Sequence, residues 1–544
     1  MLAALLAVCA AALLSSQCSA PASAVPPQLT IAYIGNFRGF QRTCGCNTEQ
    51  YGGLLRLGTL MQQASALFAG QAPPELPAAA AKKDTAPGGK PAAEKPGPVT
   101  DMSKFIPQEG APGALASAPK KAVVAPPAGV ALPQPLCLID CGNFAWGDLP
   151  FPALRVQTHL KALAYFGAKA AVLGSTELHL SASEAESCMS KSPVPLTSCN
   201  VKVLQGTVSI APYVELAPQW YLVGVSSWQP AADAVPPDAW FKLNDPAASA
   251  QQVIAKLPHG SRIVVVALNQ PAAVMQQLAA LPVTAVIGYH AESDRTWPQG
   301  LAPTLAPPPG KASQVKFLSI AAAAEQPVLT PWQVSTGGEW PDDPKVLEML
   351  RVERNEQHRL LSEARGPGSK HSWKDIEWGT SEKYLPPKED ATAPGQTEYA
   401  GAKTCLPCHK DAYRAWTASK HKTAYQTLQL KGEQDSLDCL KCHTVGLLQL
   451  TGFDPLNPRD DVAGVGCENC HGPGARHNAL MEAAKKAGKL PQHPAEKQDA
   501  AKVLAELAIQ QGSTDNCIKC HDPYNSPKFE KSWWETKKIK HGAE

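Results

Sequence analysis

The sequence predicts a multidomain chain: an N-terminal α/β layered sandwich followed by a mainly α-helical, loop-rich module. Two observations support this division. Between residues 29 and 365, short β-branched apolar runs alternate with helical stretches, a pattern typical of α/β layers. All four copies of Cys-x-x-Cys-His, the attachment motif of c-type haem, fall within residues 399–544.

The charge balance argues against a nucleic-acid partner. The 544 residues include 50 Lys and Arg against 48 Asp and Glu, a formal net charge of +2. No strong positive field is available to attract a polyanion. The 51 prolines and 40 glycines exceed an average share and indicate linker segments.

The first residues resemble an export signal. Residues 1–14 are apolar but too few to span a bilayer, and Ala22-Ser23-Ala24 provides a cleavage site. We expect a signal peptide over residues 1–24 and a bacterial protein located in the periplasm or exported to the cell surface. A lipid anchor at Cys18 is the less favoured alternative, because Gln17 replaces the small residue that lipoprotein processing prefers. No later stretch has the length and apolarity of a membrane span.

The N-terminal domain is expected to cover residues 29–365. Its predicted strands are residues 29–35, 136–140, 168–174, 220–225, 262–268 and 283–288, and its predicted helices are residues 54–69, 154–166, 271–281 and 343–365. Residues 70–135 are rich in Ala, Pro, Lys and Gly, and we expect a disordered insertion there. Residues 366–398 contain Gly-Pro and Pro-Pro steps and are predicted to be a linker.

The four Cys-x-x-Cys-His motifs predict four covalently bound c-type haems. In each motif the two thiols bond the vinyl groups, and the adjacent histidine reaches the iron as the proximal ligand. The predicted attachment cysteines are Cys405, Cys408, Cys439, Cys442, Cys467, Cys470, Cys517 and Cys520. The predicted proximal ligands are His409, His443, His471 and His521.

Few side chains in this module can supply the opposite axial ligand. Met481 is its only methionine, so methionine ligation can apply to one haem at most. The histidines outside the motifs are His421, His477, His493 and His541. Bis-histidine ligation should therefore dominate, which favours low reduction potentials and electron transfer between redox partner proteins.

The haem module resembles the cytochrome c-554 and c-prime family of tetrahaem cytochromes across residues 399–544. The matching stretches begin Tyr399-Ala-Gly-Ala-Lys-Thr-Cys, Trp416-Thr-Ala-Ser-Lys-His and Gly464-Val-Gly-Cys-Glu-Asn-Cys-His-Gly-Pro-Gly. The resemblance implies that His421, His477 and His541 are distal ligands supplied to haems other than their sequence neighbours. It also implies an open iron on His443. His493 matches no family position, and could be a surface residue or could close that iron.

The N-terminal domain resembles the calcineurin-like metallophosphoesterase domain of periplasmic nucleotidases, although the metal ligands of that family are replaced. Its framework survives as Ile34-Gly-Asn, Gly52-Gly-Leu, Asp140-Cys-Gly-Asn and Gly174-Ser-Thr-Glu. Asn36, Arg38, Asn143, Ser175, Thr176 and Asn269 stand where the resemblance places acidic, amide or histidine ligands, and His290 alone is retained. Neutral amides and hydroxyls cannot neutralise two dications, so we expect a scaffold or docking surface in place of a phosphoesterase.

Six further cysteines of the exported chain predict disulfides, with their connectivity left open: Cys44, Cys46, Cys137, Cys141, Cys188 and Cys199.

Three functional hypotheses follow. The first is an electron carrier with a degenerate phosphoesterase-like scaffold. The second is a multihaem oxidoreductase acting on a nitrogen oxide or another small ligand at an open haem on His443, the candidate catalytic position. The third is a binding module in which Arg38 and the Gly52-Gly53 loop hold a phosphorylated ligand near the haems.

Overall fold

The computed structural model describes residues 28–37, 53–75, 124–132, 134–145, 151–228, 235–288, 304–305, 313–321, 328–337, 339–365, 398–449, 451–487, 516–517 and 519–521. The signal sequence, most of the Ala/Pro-rich insertion and the linker after residue 365 lie outside these ranges, as do Arg38 and His290.

Thirteen strands are described, and eleven of them form two larger sheets. The strands are β1 Gln28–Ile34, β2 Leu136–Asp140, β3 Ala168–Val172, β4 Leu196–Thr197, β5 Val201–Val203, β6 Val214–Ala217, β7 Trp220–Gly224, β8 Phe241–Leu243, β9 Arg262–Ala267, β10 Ala285–Gly288, β11 Thr304–Leu305, β12 Gln314–Ala321 and β13 Val328–Ser335. One sheet has the order β13-β12-β1-β2-β3-β4, and the other has the order β11-β10-β9-β7-β6. The short strands β5 and β8 pair with each other.

The described helices divide between the two halves of the chain. Those of the N-terminal half are α1 Gly53–Phe68, α2 Pro152–Tyr165, α3 Ser175–Leu178, α4 Ala182–Met189, α5 Pro246–Ile254, α6 Ala272–Ala279 and α7 Pro344–Arg365. Those of the C-terminal half are α8 Lys410–Thr417, α9 Ala424–Lys431, α10 Leu437–His443, α11 Cys467–His471 and α12 Ala475–Lys486. No helix in the described ranges combines the length and apolarity needed to cross a membrane.

Strand β1 lies between two hydrophobic layers, because successive side chains of a strand point to opposite faces. Ala32 and Ile34 pack with helices α1, α2 and α4 on one side. Leu29, Ile31 and Tyr33 face the second sheet on the other side. Side chains of this one strand therefore contribute both to the core between the sheets and to the core under these helices.

Strand β9 repeats this division in the second sheet. Val264 and Val266 pack between the two sheets. Ile263 and Val265 pack with helices α5 and α6 on the outer face. The N-terminal half is thus a four-layer α/β/β/α arrangement, which confirms the predicted α/β layered sandwich.

The ten strands and helices predicted for this domain are all present, with ends shifted by at most two residues. Strands β12 and β13 were not predicted. β12 pairs antiparallel with β1, and β13 is the edge strand beyond it. Pro331 lies within β13, where the missing amide proton is tolerated because an edge strand leaves half of its hydrogen-bonding groups unpaired.

The described ends of the predicted insertion contact the domain, since Gln63 Nε2 donates to Pro74 O and Val124 is buried.

The C-terminal half has short helices around a small hydrophobic cluster, which confirms the predicted helical, loop-rich module. Leu428, Leu437, Leu440 and Phe453 form much of this cluster. Leu361 of helix α7 also belongs to it and is fully buried. Helix α7 therefore joins the two halves by packing as well as by chain connection.

Candidate haem-binding site

The four haem motifs occupy short helical segments of the C-terminal half. The first begins in a 3₁₀ turn at Ala402–Cys405 and ends at His409, immediately before α8. The second lies within α10 and the third forms α11. The fourth is described at Cys517, Cys520 and His521. A helical turn suits the motif because it places the two thiols and the following imidazole on neighbouring sides of one short segment.

Two pairs each bring a motif histidine close to a histidine outside the motifs. The ring centroids of His409 and His477 lie 6.4 Å apart, and those of His421 and His521 lie 6.1 Å apart. An iron held between two imidazoles requires centroids about 6–6.5 Å apart, because each metal–nitrogen bond is about 2 Å and each ring adds the distance from nitrogen to its centre. The spacing of both pairs therefore fits a haem iron.

His421 is suited to metal binding by its surroundings. Burial lowers its pKa, and the neighbouring His521 lowers it further. A histidine held neutral keeps a nitrogen lone pair for a metal. Two neutral imidazoles with a cation between them are therefore a more stable arrangement at this position than two protonated imidazoles.

The orientation of His443 is set by a backbone carbonyl. Its Nδ1 lies 2.7 Å from the carbonyl oxygen of Ala424. A carbonyl can only accept, so Nδ1 carries the proton and Nε2 keeps the lone pair. This is the usual second hydrogen bond of a metal-ligating histidine. The contact agrees with the proximal role predicted for His443, which stays a prediction.

The haem-attachment cysteines also meet in pairs. The thiol of Cys405 in the first motif hydrogen-bonds that of Cys467 in the third. The thiol of Cys442 in the second motif hydrogen-bonds that of Cys520 in the fourth. The attachment points of motifs one and three are thus neighbours, as are those of motifs two and four.

The Gly-Val-Gly segment before the third motif holds two histidine-bearing loops. Gly464 N donates to His443 O at 3.1 Å, and Val465 N donates to His421 O at 2.9 Å. Trp416 Nε1 donates to the carbonyl of Val465 at 2.8 Å. Gly464 has a φ of +106°, and a Cβ there would lie 2.5 Å from the carbonyl oxygen of Lys422. Glycine is therefore required at this position by both conformation and space.

Glu468, inside the third motif, was missed as a functional residue by the sequence reasoning. Its side chain is buried, with the residue 4 % exposed, and accepts backbone N–H bonds from Ala400, Gly401 and Gly474. The distances are 2.8, 2.9 and 2.7 Å. This carboxylate ties the segment before the first motif to the third. The signal available in the sequence was a carboxylate between the two cysteines of the motif. The motif itself requires no particular residue type at that position.

Several predicted residues lie outside the described ranges. These are His493, His541, Cys18, Cys44, Cys46, Arg38, Gly52 and His290. The predicted distal role of His541, the alternative role of His493 and the phosphate-binding role of Arg38 accordingly stay predictions.

The disulfide prediction is wrong for the four non-haem cysteines within the described ranges. Cys137, Cys141, Cys188 and Cys199 are free thiols. The physical reason is their placement: layers of the fold separate most of them, and the two that share a layer, Cys137 and Cys141, lie four positions apart on an extended segment, too far for a disulfide. Cys137 and Cys141 lie between the sheets, Cys188 lies under the helices of the first sheet, and Cys199 packs in the outer layer of the second. Burial raises the pKa of the Cys137 thiol to about 11.

The phosphoesterase-like positions form a neutral polar cluster at the carboxyl ends of β1, β2 and β3. Asn143 Nδ2 donates to Asn36 Oδ1 at 3.0 Å, and Thr176 N donates to Asn143 Oδ1. Asn36, Asn143 and Asn269 all have left-handed backbone conformations, with φ between 54° and 60°. The residues present do not fit a pair of divalent metals, because amides and hydroxyls supply no negative charge.

Two buried carboxylates adjoin this cluster: Asp140 accepts from Gly142 N and lies 2.8 Å from His159 Nε2, and Glu177 has a structural role. It accepts backbone N–H bonds from Asn143, Ala145 and Gly174. Burial raises the pKa of its carboxyl, and these hydrogen bonds oppose that rise. Its backbone donors come from two loops, so it braces the loops after β2 and β3. Within the described ranges, no group of three or more His, Cys, Asp or Glu residues could hold a metal ion.

An ion pair joins the two halves at the second haem motif. Arg155 Nη1 of α2 donates to both carboxylate oxygens of Asp438, at 3.0 and 3.1 Å. The side chains are 3 % and 15 % exposed. Burial alone would lower the pKa of Arg155, but Asp438 and Glu353 raise it. Arg155 and Asp438 are 283 positions apart, and no sequence pattern links them.

The comparisons with known proteins agree with the haem motifs. Residues 404–472 match the model of the family described as cytochrome c554 and c-prime. A curated relative, cytochrome c-554 of Nitrosomonas europaea, is 28 % identical over 145 residues, which cover 23 % of this chain and 58 % of the relative. The resemblance predicted for the C-terminal module is confirmed, and c-type cytochromes of this family carry covalently bound haem. The chain spans little more than half the length of this relative.

The N-terminal half is similar to solved phosphoesterase structures. A 5′-nucleotidase precursor from Thermus thermophilus aligns with 14 % identity and a TM-score of 0.40, covering 62 % of this chain and 60 % of that one. A calcineurin-like phosphoesterase from Bacillus subtilis aligns with 12 % identity and a TM-score of 0.39, covering 61 % of this chain and 98 % of that one.

Proposed function

We propose that the protein is an exported tetrahaem c-type cytochrome that transfers electrons between redox partner proteins in the bacterial periplasm or at the cell surface. The observation that carries the proposal is the juxtaposition of His409 with His477 and of His421 with His521, at separations that fit a haem iron. The N-terminal domain serves as a scaffold for this module.

The ligands proposed for the first and fourth haems follow from these pairs, and those for the second and third follow from the motifs and the family resemblance. His409 and His477 hold the first haem, and His421 and His521 hold the fourth. His471 is the proximal ligand of the third haem, with His541 as its distal ligand. His443, oriented by the Ala424 carbonyl, is the proximal ligand of the second. The eight motif cysteines form the thioether bonds.

This ligand set suits electron transfer better than substrate chemistry. Bound haem supplies a one-electron redox centre, and the protein sets its potential through axial ligands and surroundings. Two imidazoles on one iron would leave no position for a substrate at the first, third and fourth haems, whereas the second haem has His443 as its single assigned ligand. Thiols of motifs one and three are in contact, as are thiols of motifs two and four. These contacts support a short distance between the first and third haems and between the second and fourth.

A scaffold role for the N-terminal domain is supported by the neutral cluster at the positions where the resemblance places metal ligands. Asn36, Asn143 and Thr176 hydrogen-bond one another and carry no charge. Export is supported by the predicted signal sequence at residues 1–24 and by the attachment of c-type haem outside the bacterial cytoplasm.

The test is production of the full chain in a bacterial host with the c-type haem maturation system. We expect a mass increase of four haems, retained under denaturation, and reversible redox titration at low potentials. A Cys517→Ala/Cys520→Ala variant is the matched control and should carry one haem fewer. A wild-type chain with fewer than four haems, or without low-potential haems, would contradict the proposal.

Paramagnetic resonance of the oxidised protein separates electron carriage from catalysis. Low-spin signals alone, unchanged by nitric oxide, support a carrier. A high-spin signal consumed by nitric oxide would instead favour an oxidoreductase acting at the haem on His443.

A further inference from the structure

Helix α10, which carries the second haem motif, is packed against the N-terminal domain along much of its length. Leu437 and Leu440 are 1 % and 0 % exposed and share a cluster with Leu361 of helix α7. Arg354 of α7 forms an ion pair with Glu433 at 2.9 Å, just before α10. His358 Nε2 lies 3.3 Å from the carbonyl oxygen of Asp435. Side chains of the N-terminal domain therefore contact the segment that carries the second haem motif.

Arg155–Asp438 is more deeply buried than the other ion pair described at this interface, Arg354–Glu433. A buried ion pair contributes little net stability, because desolvation of both charges offsets their attraction. An apolar contact of the same shape would hold two domains together at least as well. A role specific to charge is thus needed to explain why this pair is buried here.

The position of the pair indicates that role. Asp438 immediately precedes Cys439, the first attachment cysteine of the motif, so the Arg155–Asp438 pair lies at the start of the segment that would attach the second haem. Charges in a buried site act on a redox centre with little screening by water. A lone carboxylate at this point would stabilise the oxidised, more positive haem, and a lone guanidinium would stabilise the reduced form.

We infer that Arg155 of the N-terminal domain is a positioning residue for the second haem: it fixes Asp438 at the start of α10 and balances the charge of that carboxylate beside the haem. The inference rests on the proposed function and assigns the scaffold domain a definite part in it. The N-terminal domain is then a component of one redox centre, in addition to being a support for the module.

The test compares the reduction potentials of four full-length holoprotein variants by spectroelectrochemical titration. Arg155→Met leaves the carboxylate unbalanced, so the potential of one haem should fall. Asp438→Asn removes the carboxylate next to the attachment cysteine and leaves the guanidinium with Glu353, so the potential of the same haem should rise. Arg155→Lys keeps the charge and should restore most of the wild-type potential. The double variant Arg155→Met/Asp438→Asn removes both charges and should also lie near wild type.

The matched control is Arg351→Met, which removes a solvent-exposed ion pair with Glu348 on helix α7. It should move no haem potential. Shifts of opposite sign in the two single variants support the inference, because a loss of packing alone would move both in the same direction. Shifts of the same sign, or no shift beyond that of the control, would overturn it.

Two further outcomes are decided by the same samples. If Arg155→Met does not accumulate as holoprotein, the sign of the Asp438→Asn shift and the behaviour of the double variant decide the question. If the wild type itself shows no low-potential haems, the proposed function fails. If the wild type titrates as proposed and only the opposite shifts are missing, the inference alone fails.

Discussion

The imidazole rings of His409 and His477 lie 6.4 Å apart between centroids, although 68 positions separate them along the chain. His477 lies in the first turn of α12, and that helix follows the third motif directly. Helix α12 therefore follows the third haem motif, and its His477 lies beside His409 of the first motif. This arrangement makes the folding of the module depend on several motifs at once.

Removal of His477 should change one haem selectively. We expect His477→Ala to convert one low-spin haem to high spin and to raise its potential, because a strong axial donor is lost. Paramagnetic resonance and redox titration measure both effects. His259→Ala, at an exposed position of the N-terminal domain, is the control and should leave both spectra unchanged. An unchanged low-spin spectrum in the His477 variant would show that another side chain is the ligand.

Glu468 should contribute to the stability of the haem module through its three backbone hydrogen bonds. Glu468→Gln places an amide group, which donates, against N–H donors from Ala400, Gly401 and Gly474. We expect a loss of about 1–3 kcal/mol in the free energy of unfolding, the cost of leaving buried partners unsatisfied. Guanidinium unfolding of the holoprotein measures it. Glu482→Gln, on the exposed side of α12, should change stability by much less.

Gly464 should be intolerant of any side chain. Both Gly464 and Gly432 have positive φ, but a Cβ on Gly432 meets nothing within 4 Å, whereas one on Gly464 meets the Lys422 carbonyl at 2.5 Å. Gly432→Ala thus isolates the conformational cost of about 1–2 kcal/mol. We expect Gly464→Ala to cost more and to lower haem incorporation, because the loops of His421 and His443 hydrogen-bond this segment. Equal losses in the two variants would contradict the steric argument.

The Cys137 thiol should resist alkylation in the folded protein at pH 8.5. Burial raises its pKa to about 11, whereas the unfolded value is about 8.5. The neutral thiol is therefore favoured by folding, and this contribution to stability is complete below about pH 8.5 and is lost as pH rises toward 11. Iodoacetamide labelling followed by peptide mass spectrometry tests the accessibility.

The same labelling tests the absence of disulfides. After unfolding in denaturant without reductant, Cys137, Cys141, Cys188 and Cys199 should all be alkylated, since all four are free thiols in the structure. A requirement for reductant at any of them would show that it is oxidised in the exported protein.

The central strands were predictable because they are buried on both faces. β2 and β9 appear in the sequence as continuous apolar runs, and their predicted ends differ from the structure by at most one residue. The edge strand β13 was not predictable, because its alternation is weak and Pro331 interrupts it. Burial in a sheet centre leaves a local signal, whereas pairing at an edge depends on a distant neighbour.

The residues of the candidate site also differ in whether the sequence alone could predict them. The motif cysteines and proximal histidines are local in sequence and could be identified directly, while His421 and His477 entered through resemblance to a family. The particular pairing of His421 with His521 required the fold. Arg155 and Asp438 could not be connected from sequence, because an ion pair between domains leaves no periodicity in either segment.

Helix α7 has a consequence for how the chain can be divided. Its 22 residues extend about 33 Å. Val346 and Leu350 near its start are buried in the N-terminal core, while Leu361 near its end is buried in the cluster beneath the second haem motif. A gene truncated to begin at residue 399 would encode every haem-binding motif yet lack that leucine. Excision at that boundary would therefore remove a buried side chain from the hydrophobic cluster of the C-terminal half.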